Sequence, residues 1–339
     1  MNTFLPDEKY MRRAIELALN GELHSSPNPN VGAVIVSPDG RIIGEGWHRR
    51  CGGPHAEVNA VASVRPCDEA LLAESTIYVT LEPCSHWGKT PPCSKLLIEK
   101  RIPRVVVGMT DPFSKVSGNG IRMLREAGAE VVENFLEHEC RALNRRFITA
   151  HTLRRPYIQL KWAQSSDGFI AALENGRPMP VRLSNPLSMR LMHKERALAD
   201  AIMVGTGTII ADNPSLTTRL WPGQSPRPVI FKSERIPENT NILRRDPVIL
   251  DPLKDLSQNM NLLYEEYGIT SLMAEGGEKL LHSFIDSGIV DEIRVEIAQK
   301  KIMNGLTAPK IPAGFRLVGS EKAEKNVILY YHNDYNSSC

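Results

Sequence analysis

The chain has 339 residues, of which 42% are hydrophobic and 24% charged, and its formal net charge is +2. This length predicts two domains, since one domain usually takes about 100–200 residues. The near-neutral charge argues against a protein that binds nucleic acid or a membrane surface. No apolar run approaches the roughly 20 residues that a helix needs to span a bilayer, and the first residues lack the pattern of a signal peptide. The six cysteines are typical of reduced thiols, so we expect a cytoplasmic protein.

Strands and helices alternate through the first half of the chain. Residues 7–20 have the apolar spacing of a helix, with Asp7 in position to cap its start. Strands are predicted at 31–37, 41–47, 76–81, 104–109 and 129–132, and further helices at 55–64, 93–100 and 120–127. This alternation predicts a three-layer α/β domain.

One histidine and two cysteines of the first half form a candidate metal site, namely His55, Cys84 and Cys93. Three protein ligands are typical of catalytic zinc sites, which leave the last position for water, whereas structural sites use four. Glu57 supplies a carboxylate suited to moving protons between that water and a leaving amine. His-x-Glu followed by Pro-Cys matches the zinc-deaminase signature. The alternative is a structural zinc knuckle or a set of unrelated cysteines.

The spacing of the two thiols departs from that signature, because eight residues separate them instead of two. Residues 83–93, together with the upstream run Asn28-Pro29-Asn30-Val31-Gly32, resemble the bifunctional riboflavin-biosynthesis deaminase/reductase family. The resemblance implies a cytidine-deaminase-like α/β/α domain that binds one Zn²⁺ ion per chain. It also implies that the deaminase substrate is contacted by Asn28, His48, His86, Lys89 and Thr90. The alternatives are an Asx turn at Asn28 and an exposed strand end at His48.

The boundary between the two predicted domains lies within residues 149–155. A helix is predicted over 137–149, and Pro156 begins a strand. We therefore expect one domain at 1–150 and a second at 151–339, in which strands and helices alternate again. Its strands are predicted at 157–163, 201–204, 228–231, 247–250, 269–274, 293–298 and 327–331, and its helices at 256–267 and 278–287.

Glycines follow two of the strands in the second half. Gly205-x-Gly207 lacks the third glycine of the Rossmann fingerprint, because Ile210 occupies that position, so a standard dinucleotide fold is not expected. Glu275-Gly276-Gly277 lies where a strand meets a helix, and there backbone amides and the helix N-terminus favour an anion. A purely conformational role for these glycines is the alternative.

Four segments of the second half resemble, in order, the reductase half of the same family: 157–161, 166–168, 211–219 and 275–277. The resemblance implies a dihydrofolate-reductase-like α/β domain that uses NADPH. The cofactor contacts that it implies are Ala163, Thr208, Asp212, Ser233, Gly277, Glu278, Lys279, Leu280, Leu281, His282 and Ser283. The substrate contacts that it implies are Lys161, Arg196, Leu216, Arg219 and Glu275. Two family positions differ, because Pro180 and Arg182 replace the usual serine and tryptophan.

The interpretation that we carry forward is a bifunctional enzyme acting on phosphorylated pyrimidines. The resemblance implies zinc-dependent deamination of 2,5-diamino-6-(5-phospho-ribosylamino)pyrimidin-4-one to the aminouracil, followed by NADPH reduction of the ribosyl group to ribityl. It also implies a homo-oligomer, namely a dimer formed through the reductase domain. Three alternatives remain: a monofunctional deaminase with a degenerate, dimerising second domain, a nucleic-acid base deaminase, and a non-enzymatic binding protein stabilised by zinc.

Overall fold

The computed structural model describes residues 4–87, 91–112 and 118–333. The chain divides into two compact units, Met1–Thr152 and Leu153–Cys339, and each unit has its own sheets and its own core. Strands and helices alternate in both units, so the mixed α/β fold predicted for the two halves is confirmed. In the described part of the chain, no helix is both long enough and apolar enough to cross a membrane.

The first unit contains a five-stranded sheet with the strand order β2-β1-β3-β4-β5. Its strands are β1 (Gly32–Val36), β2 (Ile42–Trp47), β3 (Thr76–Val79), β4 (Arg104–Val107) and β5 (Glu130–Val132). Its helices are α1 (Glu8–Leu19), α2 (Ala56–Ala62), α3 (Cys93–Glu99), α4 (Asn119–Glu126), α5 (Glu137–Leu143) and α6 (Arg145–Leu153). Strand β1 is antiparallel to both of its neighbours, whereas β3, β4 and β5 run parallel. A 3-10 helix over Pro66–Glu74 was not predicted.

Helices cover both faces of this sheet. The side chains of β1 point alternately to one face and to the other. Ala33 and Ile35 pack into the cluster that contains residues of α2, α3 and α4. Val34 and Val36 pack into the opposite cluster, which contains residues of α1. No side chain fits at Gly32, because its Cβ would lie 1.9 Å from a backbone oxygen of α1. The expected three-layer arrangement follows from this packing.

In the first unit, the predicted start of α1 is confirmed, whereas the helix predicted over 137–149 is not. Asp7 caps α1, and its carboxylate accepts a hydrogen bond from the Lys9 backbone N–H at 3.0 Å. The single helix predicted over 137–149 is wrong, because the chain breaks at Asn144 between α5 and α6. The Asn144 side chain accepts from the Asn30 N–H at 2.8 Å and donates to the Asn30 carbonyl at 3.0 Å. A long-range contact therefore overrides the helical pattern at this position.

The second unit contains an eight-stranded sheet with the order β11-β10-β9-β12-β6-β13-β16-β15. Its strands are β6 (Tyr157–Gln164), β9 (Ala201–Met203), β10 (Arg227–Phe231), β11 (Val248–Leu250), β12 (Ser271–Glu275), β13 (Glu292–Ile297), β15 (Phe315–Ala323) and β16 (Asn326–Asn333). Two pairs of neighbouring strands are antiparallel, β13 with β16 and β16 with β15, and the other pairs are parallel. The helices are α7 (Pro186–Leu198), α8 (Thr206–Asp212), α9 (Leu256–Glu265) and α10 (Glu278–Ser287).

Several short elements of the second unit were not predicted. Strands β7 (Phe169–Glu174), β8 (Arg177–Met179) and β14 (Gly305–Thr307) form a separate antiparallel sheet with the order β14-β7-β8. A 3-10 helix over Leu243–Arg245 and the edge strand β15 were also missed. These elements are largely exposed or half-buried, so their sequences lack the apolar alternation that marks a strand against a core.

The parallel strands at the centre of the large sheet bring their carboxyl ends together. Strand β6 lies between β12 and β13, and Lys161 is paired with Glu275 on one side and with Arg294 on the other. In open sheets of parallel strands, this edge is where ligands bind. The fold therefore sets charged residues of three strands side by side, and Glu275 is the last residue of its strand.

A buried ion pair anchors the start of β6 to the start of β13. The Arg155 guanidinium donates to both carboxylate oxygens of Asp291, at 2.6 and 3.0 Å, and the side chains are only 11% and 2% exposed. Asp291 also accepts from the Ile158 backbone N–H at 2.8 Å. In contrast, Arg154 pairs with Glu265 while 66% of its side chain is exposed.

We expect Arg155→Met to lower the free energy of unfolding of the second unit by about 3–5 kcal/mol, because it removes one partner of a buried, bidentate ion pair. The matched control is Arg154→Met, whose exposed ion pair contributes less than about 1 kcal/mol. Chemical denaturation followed by circular dichroism measures both variants. Equal effects of the two substitutions would contradict the prediction.

Candidate active sites

Three metal-ligating side chains meet at one edge of the first sheet. His55 is the N-cap residue of α2, Cys93 begins α3, and Cys84 lies five residues after the end of β3. Their ligand atoms all lie within 4.8 Å of one another, and no fourth such residue joins them in the described part of the chain. His55 Nδ1 is 3.6 Å from Cys84 Sγ and 3.3 Å from Cys93 Sγ.

This donor set fits zinc. Tetrahedral zinc at its usual bond lengths holds nitrogen and sulfur ligands roughly 3.5 Å apart, which is close to the two distances above. The two sulfurs also lie close enough to each other to interact, and the pKa of Cys84 is lowered, first by a hydrogen bond from the Cys93 thiol. The same contact, together with burial, raises the pKa of the Cys93 thiol. Because a cysteine binds zinc as its thiolate, the arrangement favours the metal-binding form at Cys84.

Glu57 lies beside these ligands, in the first turn of α2. His55 has an extended backbone and is not yet helical, so both side chains line the same cavity of about 420 Å³. The Glu57 side chain is buried, and this burial raises its pKa to about 7, with the charge of Cys84 as the next cause. A group with a pKa near the operating pH is suited to both taking and giving a proton.

A short chain of hydrogen bonds fixes the orientation of a second histidine in this cavity. His48 Nδ1 lies 3.1 Å from the Pro54 carbonyl oxygen, which can only accept, so Nδ1 carries the proton. His48 Nε2 then accepts from the Asn28 amide, also at 3.1 Å. Burial lowers the pKa of His48, which favours the neutral ring. Asn28 and His48 both line the cavity.

The remaining predicted residues of the deaminase site divide into two groups. His86 lines the cavity and is exposed, whereas Lys89 and Thr90 lie outside the described residues. The cavity also has lining residues that sequence reasoning missed, among them Glu82, Asp111, Phe147 and His151. Phe147 and His151 are spaced as i and i+4 on α6, but their direction depends on the break at Asn144, so the sequence carried no signal for them.

A second cavity, of about 430 Å³, lies in the second unit at the carboxyl ends of β6 and β12. Many residues that the sequence predicted as cofactor or substrate contacts line it. They are Lys161, Ala163, Arg196, Thr208, Asp212, Leu216, Glu275 and Leu281. The predicted residues that do not line it are Arg219, Ser233, Gly277, Glu278, Lys279, Leu280, His282 and Ser283, and their roles stay predictions.

Two predicted substrate residues bind each other in this cavity. Arg196 Nε and one terminal nitrogen donate to the two carboxylate oxygens of Glu275, at 2.9 and 2.8 Å. Burial alone would raise the pKa of Glu275, but the charges of Arg196 and Lys161 outweigh it and lower the pKa to about 2. Burial lowers the pKa of Lys161, and the charge of Glu275 partly opposes this change. The charges at the strand ends therefore form one coupled group.

The junction between β12 and α10 is formed by two glycines, Gly276 and Gly277. Gly276 and Gly277 have φ angles of 65° and 74°, which glycine adopts without strain. A Cβ at Gly277 would lie 3.2 Å from the Thr208 hydroxyl oxygen, so a larger residue would crowd the same space. Gly277 is the N-cap of α10, and amides at a helix N-terminus favour anions. These residues fit the phosphates of a dinucleotide cofactor.

Comparisons with known proteins agree with both sites. A family model described as cytidine and deoxycytidylate deaminase zinc-binding region matches residues 5–109, and one described as RibD C-terminal domain matches residues 156–309. The riboflavin biosynthesis protein RibD of Aquifex aeolicus is 38% identical over 325 residues, which cover 89% of each chain. This chain belongs to the RibD family. The Escherichia coli relative is 36% identical and covers 87% of this chain and 88% of its own length.

Solved structures of RibD-family members have the same fold. Acinetobacter baumannii RibD has a TM-score of 0.85 at 30% identity, covering 96% of this chain and 98% of its own. A Thermotoga maritima protein named as a diaminohydroxyphosphoribosylaminopyrimidine deaminase/5-amino-6-(5-phosphoribosylamino)uracil reductase has a TM-score of 0.83 at 36% identity, with the same coverage. The chain is therefore a bifunctional deaminase and reductase of riboflavin biosynthesis that uses zinc and NADPH. The alternatives left open by the sequence are not supported.

A buried histidine supports the RibD-type reductase cavity from behind. His193 on α7 is fully buried, and its Nδ1 accepts from the Arg219 backbone N–H at 3.2 Å. Its Nε2 has no hydrogen-bond partner among the described residues. Burial, followed by the charges of Arg196 and Arg219, lowers the pKa of His193 to about 4. The ring is therefore neutral in the folded enzyme at physiological pH.

We expect zinc content to depend on the three-ligand cluster of the RibD deaminase half. Cys93→Ser should lose zinc, because a hydroxyl replaces one of three ligand atoms, whereas the wild type should hold about one ion per chain. Cys51 is exposed and lies outside the cluster, so Cys51→Ser is the matched control and should keep its zinc. Elemental analysis of the purified proteins measures this. Full zinc content in Cys93→Ser would refute the assignment.

We also expect His193 to make the reductase half sensitive to acid. The unfolded chain protonates histidine near pH 6.5, whereas folded His193 resists protonation until the pH approaches about 4. Because the unfolded state binds more protons in this interval, stability should fall as the pH is lowered through it. The loss of unfolding free energy between pH 7.5 and pH 5 should be smaller in His193→Gln. An identical loss in the variant would contradict this account.

Proposed function

We propose that the first domain, predicted at residues 1–150, deaminates 2,5-diamino-6-(5-phospho-ribosylamino)pyrimidin-4-one. The observation that carries the proposal is the buried carboxylate of Glu57 in the same cavity as the cluster of His55, Cys84 and Cys93. Zinc held by these three residues supplies Lewis acidity and an activated water. The name of the Thermotoga maritima relative includes this deaminase activity.

The residues of the cavity have separate roles in this reaction. The water oxygen bonds to the carbon that carries the exocyclic amine, while a Glu57 carboxylate oxygen moves one water proton to the adjacent ring nitrogen. Glu57 then moves the remaining hydroxyl proton to the exocyclic nitrogen, so that the C–N bond breaks, the carbonyl forms and ammonia leaves. The amide of Asn28 and the fixed ring of His48 orient the pyrimidine. His86, Lys89 and Thr90 contact the substrate from the segment between the thiols, where a lysine can pair with the phosphate.

We propose that the second domain, predicted at residues 151–339, reduces the ribosyl group of the resulting aminouracil to ribityl. NADPH bound at the cavity would supply the hydride to C1′ of the sugar in its open, imine-like form, and solvent would supply the proton to the nitrogen. The phosphates of the cofactor bind at Gly277 and the first turn of α10, with further contacts from Ala163, Thr208, Asp212 and Ser233. The sugar lies against Lys161, Arg196, Leu216, Arg219 and Glu275. The coupled charges at the ends of β6 and β12 support this assignment, because they orient a polar ligand beside the cofactor.

We infer that the enzyme is cytoplasmic, that it acts on small molecules and not on nucleic acid or membranes, and that it forms a dimer through the reductase domain. Exposed thiols at Cys51 and Cys67 support a reducing compartment. The edge strand β15 supports self-association, because Leu317 and Val318 are 50% and 38% exposed on it. Exposed edge strands are common sites of pairing between chains.

We expect Glu57→Gln to lower deamination by roughly 100- to 10,000-fold, because the amide cannot carry the proton. Zinc content and reduction of the aminouracil should both stay at the wild-type level. The assay follows ammonia release from the diaminopyrimidinone substrate and NADPH absorbance with the aminouracil in separate reactions. Near-normal deamination by the variant would rule out the acid-base role. A wild-type enzyme that oxidises no NADPH with the aminouracil would instead refute the proposed reductase substrate.

A further inference from the structure

The reductase cavity has an excess of positive charge among its described lining residues. Lys161, Arg182 and Arg196 contribute three basic groups, whereas Asp212 and Glu275 contribute two carboxylates. These lining residues therefore carry one more positive charge than negative charge, which favours an anionic ligand. Which basic group meets that ligand depends on which of the three already has a partner.

Arg196 is already occupied by protein. Two of its nitrogens donate to the Glu275 carboxylate at 2.8 and 2.9 Å, and its remaining nitrogen donates to the Thr217 carbonyl oxygen at 3.3 Å. A phosphate that displaced Glu275 would leave a buried carboxylate without its cation, which is costly. Arg196 therefore acts mainly to hold Glu275 in place.

Lys161 is a weaker anion ligand than its position suggests. It lies on β6 at the centre of the sheet, beside Glu275 and Arg294 on the neighbouring strands. Burial lowers its pKa, so its positive charge costs more to hold than that of an exposed lysine. An arginine, in contrast, stays protonated in any protein environment.

Arg182 is the arginine of this cavity that no carboxylate neutralises. Its side chain is exposed, and its single described contact is from a terminal nitrogen to the Met189 sulfur at 3.9 Å. Among the described residues it forms no ion pair within 4.0 Å. A planar guanidinium donates in a fork that matches the geometry of a phosphate.

The backbone on the C-terminal side of Arg182 is held firmly by β13 and β16. Ser184 donates to the buried carboxylate of Glu296 at 2.6 Å, and the Asn326 amide donates to the other Glu296 oxygen at 2.6 Å and to the Leu183 carbonyl at 3.1 Å. The next residue, Asn185, caps α7. The segment that presents Arg182 to the cavity is thus fixed before any ligand arrives, which lowers the entropy cost of binding.

We propose that Arg182 binds a phosphomonoester dianion in the reductase cavity. This inference rests on the proposed function, in which two ligands carry such a group: the 5-phosphate of the aminouracil substrate and the 2′-phosphate of NADPH. Both groups have the same charge and the same three terminal oxygens. The structure assigns the protein side of the contact, and the experiment distinguishes the two sources.

The test compares Arg182→Met with Arg182→Lys, wild type and the control Arg177→Met. Arg177 is an exposed arginine on β8 that does not line the cavity. The dissociation constants of NADPH and NADH are measured by titration calorimetry, and KM for the aminouracil is measured from NADPH absorbance. Thermal unfolding checks that each variant is folded.

If the 2′-phosphate is the ligand, Arg182→Met should weaken NADPH binding by at least about tenfold, while NADH binding is unchanged. If the substrate phosphate is the ligand, KM for the aminouracil should rise by at least about tenfold, and NADPH binding should match the wild type. In either case Arg182→Lys should recover part of the loss, and Arg177→Met should behave as wild type.

The proposal is overturned if all three constants of Arg182→Met stay within about twofold of the wild type, which is smaller than a single charged hydrogen bond would produce. It is also overturned if Arg177→Met changes them equally, because the effect would then be one of general surface charge. Neither result resembles failure of the proposed function, which would appear as a wild-type enzyme that consumes no NADPH with the aminouracil.

Discussion

The close approach of one imidazole nitrogen and two sulfurs is the constraint on which the first unit depends. The three residues come from the starts of two helices and from the segment after β3, so these elements must end at one edge of the sheet. Protein contacts help to hold them there. The Cys93 N–H donates to the Cys84 sulfur at 3.3 Å, and the Ser94 hydroxyl donates to the Cys84 carbonyl at 3.0 Å. The loop between the thiols is thus closed at its base by hydrogen bonds as well as by any bound ion.

The sequence predicted the helices and strands whose apolar residues recur at a regular spacing. It failed to predict elements that are exposed, or whose ends depend on contacts with distant residues. The helix at Asp7 and the hairpin of β1 and β2 were found because capping and alternation are local signals. The break at Asn144 was missed because it depends on hydrogen bonds to Asn30, more than 100 residues away. The small sheet of β7, β8 and β14 was missed because its strands have no buried face.

At the two sites, too, some residues could be predicted from the sequence and others could not. The three candidate metal ligands and Glu57 could be named from residue types and motif, although the spacing of the thiols is unusual, because zinc accepts few ligand types and the chemistry needs one more carboxylate. The sequence could not reveal that Arg196 and Glu275, both predicted to contact substrate, are bound to each other. Nor could it show that α6 supplies a wall of the deaminase cavity, since that surface exists only after the chain has bent. Ion pairs and cavity walls are properties of the folded chain.

Lys161 and Glu275 are neighbours because β6 and β12 pair along their backbones. Their spacing is therefore set by main-chain hydrogen bonds, which every residue type except proline can form through both its N–H and its carbonyl. Residues 180–185, which connect β8 to α7, have no such main-chain pairing, and side-chain hydrogen bonds at Leu183 and Ser184 hold them instead. Diversification of this scaffold toward other sugars would accordingly keep the strand ends constant and vary the connecting loops.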